Sequence, residues 1–268
     1  MPKFAANLTM LFNEVDFLDR FETAAKAGFT GVEYLFPYAW DKQRLAEKLD
    51  AHGLTQVLHN LPAGDWEGGE RGIACHPDRV TEFQDGVGQA IEYATTLGCT
   101  QLNCLAGISP ADFDADQIRE TFVGNLRFAA AKLAEAKIRL LSEPINTRDI
   151  PGFYLCHTAQ ALEIFDEVGS DNLFLQYDIY HMQIMEGDLA PTIERCLSRI
   201  AHIQLADNPG RHEPGTGEIN YPFLYAFLDR IGYAGWIGCE YKPLTTTQEG
   251  LGWFRNYQTA ASRGRGSK

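Results

Sequence analysis

Ile138-Arg139-Leu140-Leu141-Ser142-Glu143-Pro144 is a short apolar run that closes on an acid and a proline. Such a run reads as a strand buried on both faces, as in a parallel sheet. A carboxylate at its end is costly to bury unless something pairs with it. The same arrangement returns three times downstream, in Leu175-Gln176-Tyr177-Asp178, His202-Ile203-Gln204-Leu205 and Ile237-Gly238-Cys239-Glu240-Tyr241. Three carboxylates and one amide that converge need a cation. Glu143, Asp178, Gln204 and Glu240 are therefore read as an all-oxygen site for Mg²⁺ or Mn²⁺. Glutamates held there can also move protons, which makes Glu143 and Glu240 the candidate catalytic pair. Taken singly, Asp178 could instead cap the segment that follows it, and Glu240 could pair with Lys242 or Arg255. The recurrence at four strand ends favours the joint site.

Working outward, strand-like runs fall near 3–8, 31–36, 54–60, 100–106, 138–144, 173–179, 200–206 and 236–241. Helical patterns lie between them, near 15–27, 41–52, 78–97, 115–136, 158–168, 188–197, 221–231 and 246–256. Asp41, Ser109-Pro110 and Thr158 precede helices, and Gly53, Gly98, Gly169 and Gly232 follow them. Eight alternations of strand and helix without a linker predict one (β/α)8 TIM-barrel domain over 1–258. An open doubly wound sheet would not bring the ends of strands five to eight together so naturally. The basic tail, 259–268, lacks apolar periodicity and is expected to be disordered.

The chain has 268 residues, 45% of them hydrophobic, enough for one large core. No stretch approaches the roughly 18–20 apolar residues of a membrane span, and the start lacks the apolar run of a signal peptide, so a cytoplasmic protein is expected. Six cysteines form no C-x-x-C pair and read as reduced core thiols. A formal net charge of −13 repels a nucleic-acid backbone, so no nucleic-acid partner is expected. A homo-oligomer is the default expectation for assembly.

Period-2 alternation puts His202 on the face of Gln204, and Lys242 on the face of Glu240. His181, three residues past Asp178, can touch a bound substrate. His59, in the pair His59-Asn60 that ends strand three, and Asn7, ending strand one, are candidates for the pocket wall. Glu33 is either a pocket residue or the partner of a basic core group. Arg211, in the turn-rich segment 207–218, is a candidate clamp for a substrate carboxylate, its alternative being a pair with Glu213 or Glu218. The expected substrate contacts are thus His59, His181, His202, Arg211 and Lys242. The long connection Leu61–Pro77, with four glycines and Trp66, is expected to form a lid over the mouth.

The strings HNLPAGDWEGGERGIAC (59–75), EPIN (143–146), IPGF (150–153), QYDIYHMQ (176–183), HIQLADNP (202–209), EPGTGEINY (213–221) and GCEYKP (238–243) resemble hydroxypyruvate isomerase, of the xylose-isomerase-like TIM barrels. The resemblance covers nearly the whole chain. It implies an isomerase of glyoxylate and carbohydrate metabolism that interconverts hydroxypyruvate and 2-hydroxy-3-oxopropanoate (tartronate semialdehyde). It also implies metal-assisted enediolate proton transfer between two glutamates, falling on Glu143 and Glu240, with the metal held by these two, Asp178 and Gln204. Ketose 3-epimerases resemble it too, but carry H-x-H where this chain has His202-Ile203-Gln204. The 2-oxo-tetronate isomerases share GEINYP and GCEYKP and remain the alternative.

Overall fold

A computed structural model describes residues 2–257; the tail at 259–268 lies outside the described residues. Eight strands, β1 (Lys3–Asn7), β2 (Gly31–Glu33), β3 (Thr55–Asn60), β4 (Gln101–Cys104), β5 (Arg139–Ser142), β6 (Leu173–Asp178), β7 (Ile200–Leu205) and β8 (Trp236–Cys239), close into a barrel in sequence order. Every pairing is parallel, including the β1–β8 closure. Around it run α1 (Arg20–Lys26), α2 (Lys42–His52), α3 (Val80–Leu97), α4 (Ala115–Glu135), α5 (Thr158–Val168), α6 (Ile179–Met185), α7 (Leu189–Cys196), α8 (Tyr221–Arg230) and α9 (Thr247–Gly250).

Local chemistry sets the boundaries. The Asp41 carboxylate accepts from the Gln43 and Arg44 N–H groups and starts α2. Asp114 and Gln117 form a capping box at α4, so that helix is capped next to its start rather than at Ser109-Pro110. Gly98 ends α3 at φ 65°, a left-handed conformation that glycine adopts without a Cβ penalty. The region expected as one helix at 246–256 is two, α9 and a helical turn over 252–257, separated at Leu251.

The helix α6 is absent from the expected pattern. It follows β6 with no intervening turn, because Asp178 is both the last strand residue and the helix N-cap. The main core lies between the strands and the helices. A second, smaller apolar cluster of Ala5, Val57, Leu58, Leu141 and Ala201, with Phe174 and Trp236 packed against it, lies nearer the strand starts. Along β1 and β5 the alternation that brings Ala5 and Leu141 to the interior also brings Asn7 and Glu143 there, one pleat closer to the strand ends.

Candidate active site

A cavity of about 510 Å³ opens at the C-terminal ends of the strands, where TIM barrels carry their chemistry. Glu143, Glu240, His181, Arg211 and Lys242 reach its wall. Glu143, Asp178, His181 and Glu240, all buried, each offer a ligand atom within 4.8 Å of the others.

Glu143 and Asp178 each keep one oxygen tied and present the other, while Glu240 has both oxygens engaged. Glu143 Oε2 accepts from Asn103 (3.2 Å) and Gln176 (2.8 Å). Its Oε1 has no hydrogen-bond partner among the described residues. Asp178 Oδ1 accepts from the Tyr180 (2.7 Å) and His181 (3.3 Å) N–H groups, the N-cap of α6, and its Oδ2 is unpartnered. Glu240 Oε1 accepts from Asn7 (3.3 Å), and its Oε2 accepts from the Arg211 guanidinium (2.8 Å). Asp178 therefore caps a helix with one oxygen and leaves the other for a ligand.

Burial raises the pKa of all three acids, because a charged carboxylate loses its hydration. Glu143 is pushed well above the usual carboxylate range, first by burial and then by the charges of Glu240 and Asp178. Glu240 is raised to about 8 and Asp178 to about 6, by burial in both cases, with Arg211 pulling each back. Two buried, unpartnered carboxylate oxygens that face each other's neighbours are what a hard divalent cation relieves. The donor set, rich in oxygen and free of sulfur, suits a hard divalent cation.

Gln204 lies beside this cluster, with Oε1 accepting from Gln176 (2.6 Å) and Nε2 donating to Glu33 (2.8 Å). The ring of His181 is oriented by Asn146. The Asn146 oxygen accepts from the Asp149 N–H (2.7 Å), so its amide NH₂ faces His181 Nδ1 at 2.6 Å. Nδ1 is then the acceptor and Nε2 carries the proton, an assignment from the hydrogen-bond network. Nε2 lies 3.8 Å from Glu143 and 3.6 Å from Asp178. Burial, with Arg211 beside it, holds the His181 pKa well below its ordinary value. A neutral imidazole with a proton on Nε2 can donate a hydrogen bond.

Arg211 sits in the left-handed region (φ 56°) of the loop after β7, which Asp207 gathers by accepting from the Asn208, Gly215, Gly217 and Ile219 N–H groups. Its partner is Glu240, not Glu213 or Glu218. Burial would weaken its charge, but Glu240, Asp178 and Glu143 outweigh that and raise its pKa. Lys242 lines the cavity but its side chain is exposed. It lies three residues past the end of β8, so strand alternation does not govern it.

Two expected substrate contacts are placed elsewhere. His59 is buried off the cavity wall, with its ring 6.1 Å from that of Tyr38, and burial lowers its pKa to about 3. Its neighbour Asn60 lines the cavity instead. Alternation allows one of the pair to face inward, and the inward one is Asn60. His202 is fully buried below the mouth, with Nε2 2.7 Å from Glu33. It is the basic core group that Glu33 pairs with.

Further cavity residues carried no strand-end signal. Asp149, Tyr180, Arg71 and Trp66 all line the wall. Asp149 accepts from the Tyr180 hydroxyl (2.9 Å). The connection 61–77 is tied down at Leu61, by its N–H to Asn103 O, and at Cys75, by its N–H to Ala106 O. Between those anchors the Arg71 guanidinium stacks 4.4 Å over Trp66 and donates to the Trp66 carbonyl.

The sequence matches the xylose isomerase-like TIM barrel family over residues 21–257. It is 56% identical over 258 residues to the hydroxypyruvate isomerase of Escherichia coli (strain K12), covering 96% of this chain and 100% of that one. It is 49% identical to a 2-oxo-tetronate isomerase of Cupriavidus necator, covering 96% and 99%. A crystal structure from Brucella melitensis described as AP endonuclease, family 2, superposes with a TM-score of 0.94 at 49% identity, covering 96% of this chain and 99% of that one. The closed parallel barrel, the buried acids at its mouth and these matches agree: the chain belongs to the xylose isomerase-like TIM barrels and, within them, to the hydroxypyruvate isomerase group.

Proposed function

We propose that this chain interconverts hydroxypyruvate and 2-hydroxy-3-oxopropanoate, an aldose–ketose shift on a three-carbon acid. The observation that carries the reading is the pair Glu143 and Glu240. Each has one oxygen held by an amide NH₂; the other oxygen of Glu143 is unpartnered and that of Glu240 accepts from Arg211, and burial raises the proton affinity of both carboxyls. One glutamate removes the proton from the carbon beside the carbonyl. The other delivers a proton to the neighbouring carbon, the hydroxyl proton passes to the former carbonyl oxygen, and the roles exchange in the reverse direction. Glu143, Asp178, Gln204 and Glu240 would hold a divalent ion, Mg²⁺ or Mn²⁺. Bound there, it supplies electrophilic polarisation of the substrate's carbonyl and hydroxyl oxygens. His181 donates Nε2–H to a substrate oxygen. Arg211, with a lesser share from the exposed Lys242, supplies the positive charge that a carboxylate substrate needs beside three acids. His59 and His202 support the wall and the floor of this site without touching substrate.

A second reading is favoured by the cavity itself. About 510 Å³ leaves room beyond a three-carbon acid, which suits a four-carbon 2-oxo-tetronate. A DNA-cleaving reading, which the Brucella structure's description raises, is disfavoured by the net charge of −13. The six free cysteines fit a reducing compartment such as the cytoplasm. No helix among the described residues is long and apolar enough to cross a membrane. The deciding experiment is turnover of hydroxypyruvate beside 2-oxo-tetronate and a ketose, each with and without EDTA. Hydroxypyruvate is expected to have the highest kcat/KM, and EDTA to abolish turnover. A higher kcat/KM for 2-oxo-tetronate would transfer the assignment to the longer acid.

A further inference from the structure

We propose that Glu33, locked by His202 and seated over Gly238, is a positioning residue. It fixes which end of the Gln204 amide faces the metal site, and it aims the Glu240 carboxylate. The inference rests on the reading of the barrel mouth as a metal-dependent isomerase site.

Glu33 is 1% exposed and does not reach the cavity wall. Its Oε1 accepts from Gln204 Nε2 (2.8 Å) and Asn7 Nδ2 (3.1 Å), and its Oε2 faces His202 Nε2 at 2.7 Å. The direction of the His202 bond is set from further down the barrel. Arg139 donates to Gln101 Oε1 (3.1 Å), so Gln101 turns its NH₂ toward His202 Nδ1 (3.4 Å). With Nδ1 accepting, His202 carries its proton on Nε2 and donates it to Glu33.

A carboxylate offers only acceptors. An amide beside it must therefore present its NH₂, and Gln204 is left with its oxygen toward Gln176, whose NH₂ also donates to Glu143 Oε2. That orientation matters because an amide binds a hard cation only through oxygen. Without the Glu33 anchor the amide can turn over with almost no change of shape and aim an NH₂ at the cation. Asn7 is constrained in the same way: its single NH₂ bridges Glu33 and Glu240 Oε1. The seat is built for the group. A Cβ at Gly238 would collide with both Glu33 oxygens and the carboxyl carbon.

Four variants test this: Glu33→Gln, Gly238→Ala, His202→Leu and His202→Gln, the last of which restores an NH₂ donor. The readouts are the Mn²⁺ Kd by titration calorimetry, kcat and KM for hydroxypyruvate at saturating Mn²⁺, and Tm. Glu33→Gln, Gly238→Ala and His202→Leu are expected to weaken Mn²⁺ binding about 10- to 100-fold and to lower kcat by a similar factor, with KM within about 3-fold of wild type. His202→Gln is expected to recover most of both. Wild-type Mn²⁺ affinity and kcat in Glu33→Gln and Gly238→Ala would overturn the proposal, however far Tm moved. So would failure of the near-isosteric Glu33→Gln to fold, because the role would then be structural. If wild-type protein neither binds Mn²⁺ nor turns over any substrate of the panel, the functional reading itself falls, and this inference with it.

Discussion

The two ends of the barrel interior are built on opposite terms. At the floor, Ala5, Val57, Leu58, Leu141 and Ala201 pack against Phe174 and Trp236, and the nearby cations lie over aromatic faces, Lys3 on Trp236 and Arg139 on Phe174. At the mouth, three acids crowd within reach of one another, and two of their oxygens lack any partner among the described residues. The floor is apolar packing with cations over ring faces, while the mouth leaves buried acid oxygens for something that binds. Unmet buried charge is destabilising, so its concentration at one end marks where stability has been given up for chemistry.

The sharpest way to break this contrast is to remove the acids. Glu143→Gln and Glu240→Gln are each expected to lower kcat at least ~100-fold while the protein stays folded, since each loses a proton-transfer group. Lys3→Gln at the floor is the control, with kcat unchanged. Near-normal turnover in either glutamine variant would remove that residue from the catalytic pair.

A smaller effect should separate the two cations of the mouth. Arg211→Met is expected to raise KM about 10- to 150-fold, the loss of a charge-assisted contact of ~1.5–3 kcal/mol, with a lesser effect on kcat. Lys242→Met should change KM by less than about 3-fold, because an exposed ammonium is screened and mobile. Equal effects would mean that burial does not decide which cation holds the carboxylate.

The smallest expected effect is on stability. Folded-state pKa values of about 8 for Glu240 and about 6 for Asp178 lie above those of the unfolded chain, roughly 4. The folded protein therefore binds more protons than the unfolded one in this window. The acids' contribution is fully present below about pH 4 and is lost as pH rises through 6 to 8. Metal-free protein should lose a few °C of Tm between pH 5 and 8, and saturating Mn²⁺ should cancel that loss, because the cation takes the place of the protons. A Tm of EDTA-treated protein that rises over this range would contradict the raised pKa values.

The strands that carry the acids were legible because a polar residue at the end of a buried apolar run is conspicuous. The barrel followed from counting the alternations. His59 and Lys242 show where that logic stops. His59 stands next to an equally polar Asn60, and nothing local says which of two neighbours faces inward until the register of β3 against β4 is known. Lys242 lies past the strand, where a two-residue period has no meaning. The helix α6 escaped notice because one residue does duty for both elements it joins. Arg71 and Asp149 reach the cavity through loop geometry, which short-range pattern does not encode.

Asp178 carries a consequence for how this pocket can change. One of its oxygens starts α6 and the other belongs to the acid cluster. Asparagine would keep a cap acceptor but surrender the anionic oxygen. Serine would keep the cap and not reach the cluster. Drift at this position is therefore penalised twice, once in helix stability and once in activity. The helix that it begins also fixes where Tyr180 and His181 meet the cavity. Reshaping the site for a larger substrate has its freest ground at Trp66 and Ile150, wall residues whose side chains hold no helix in place.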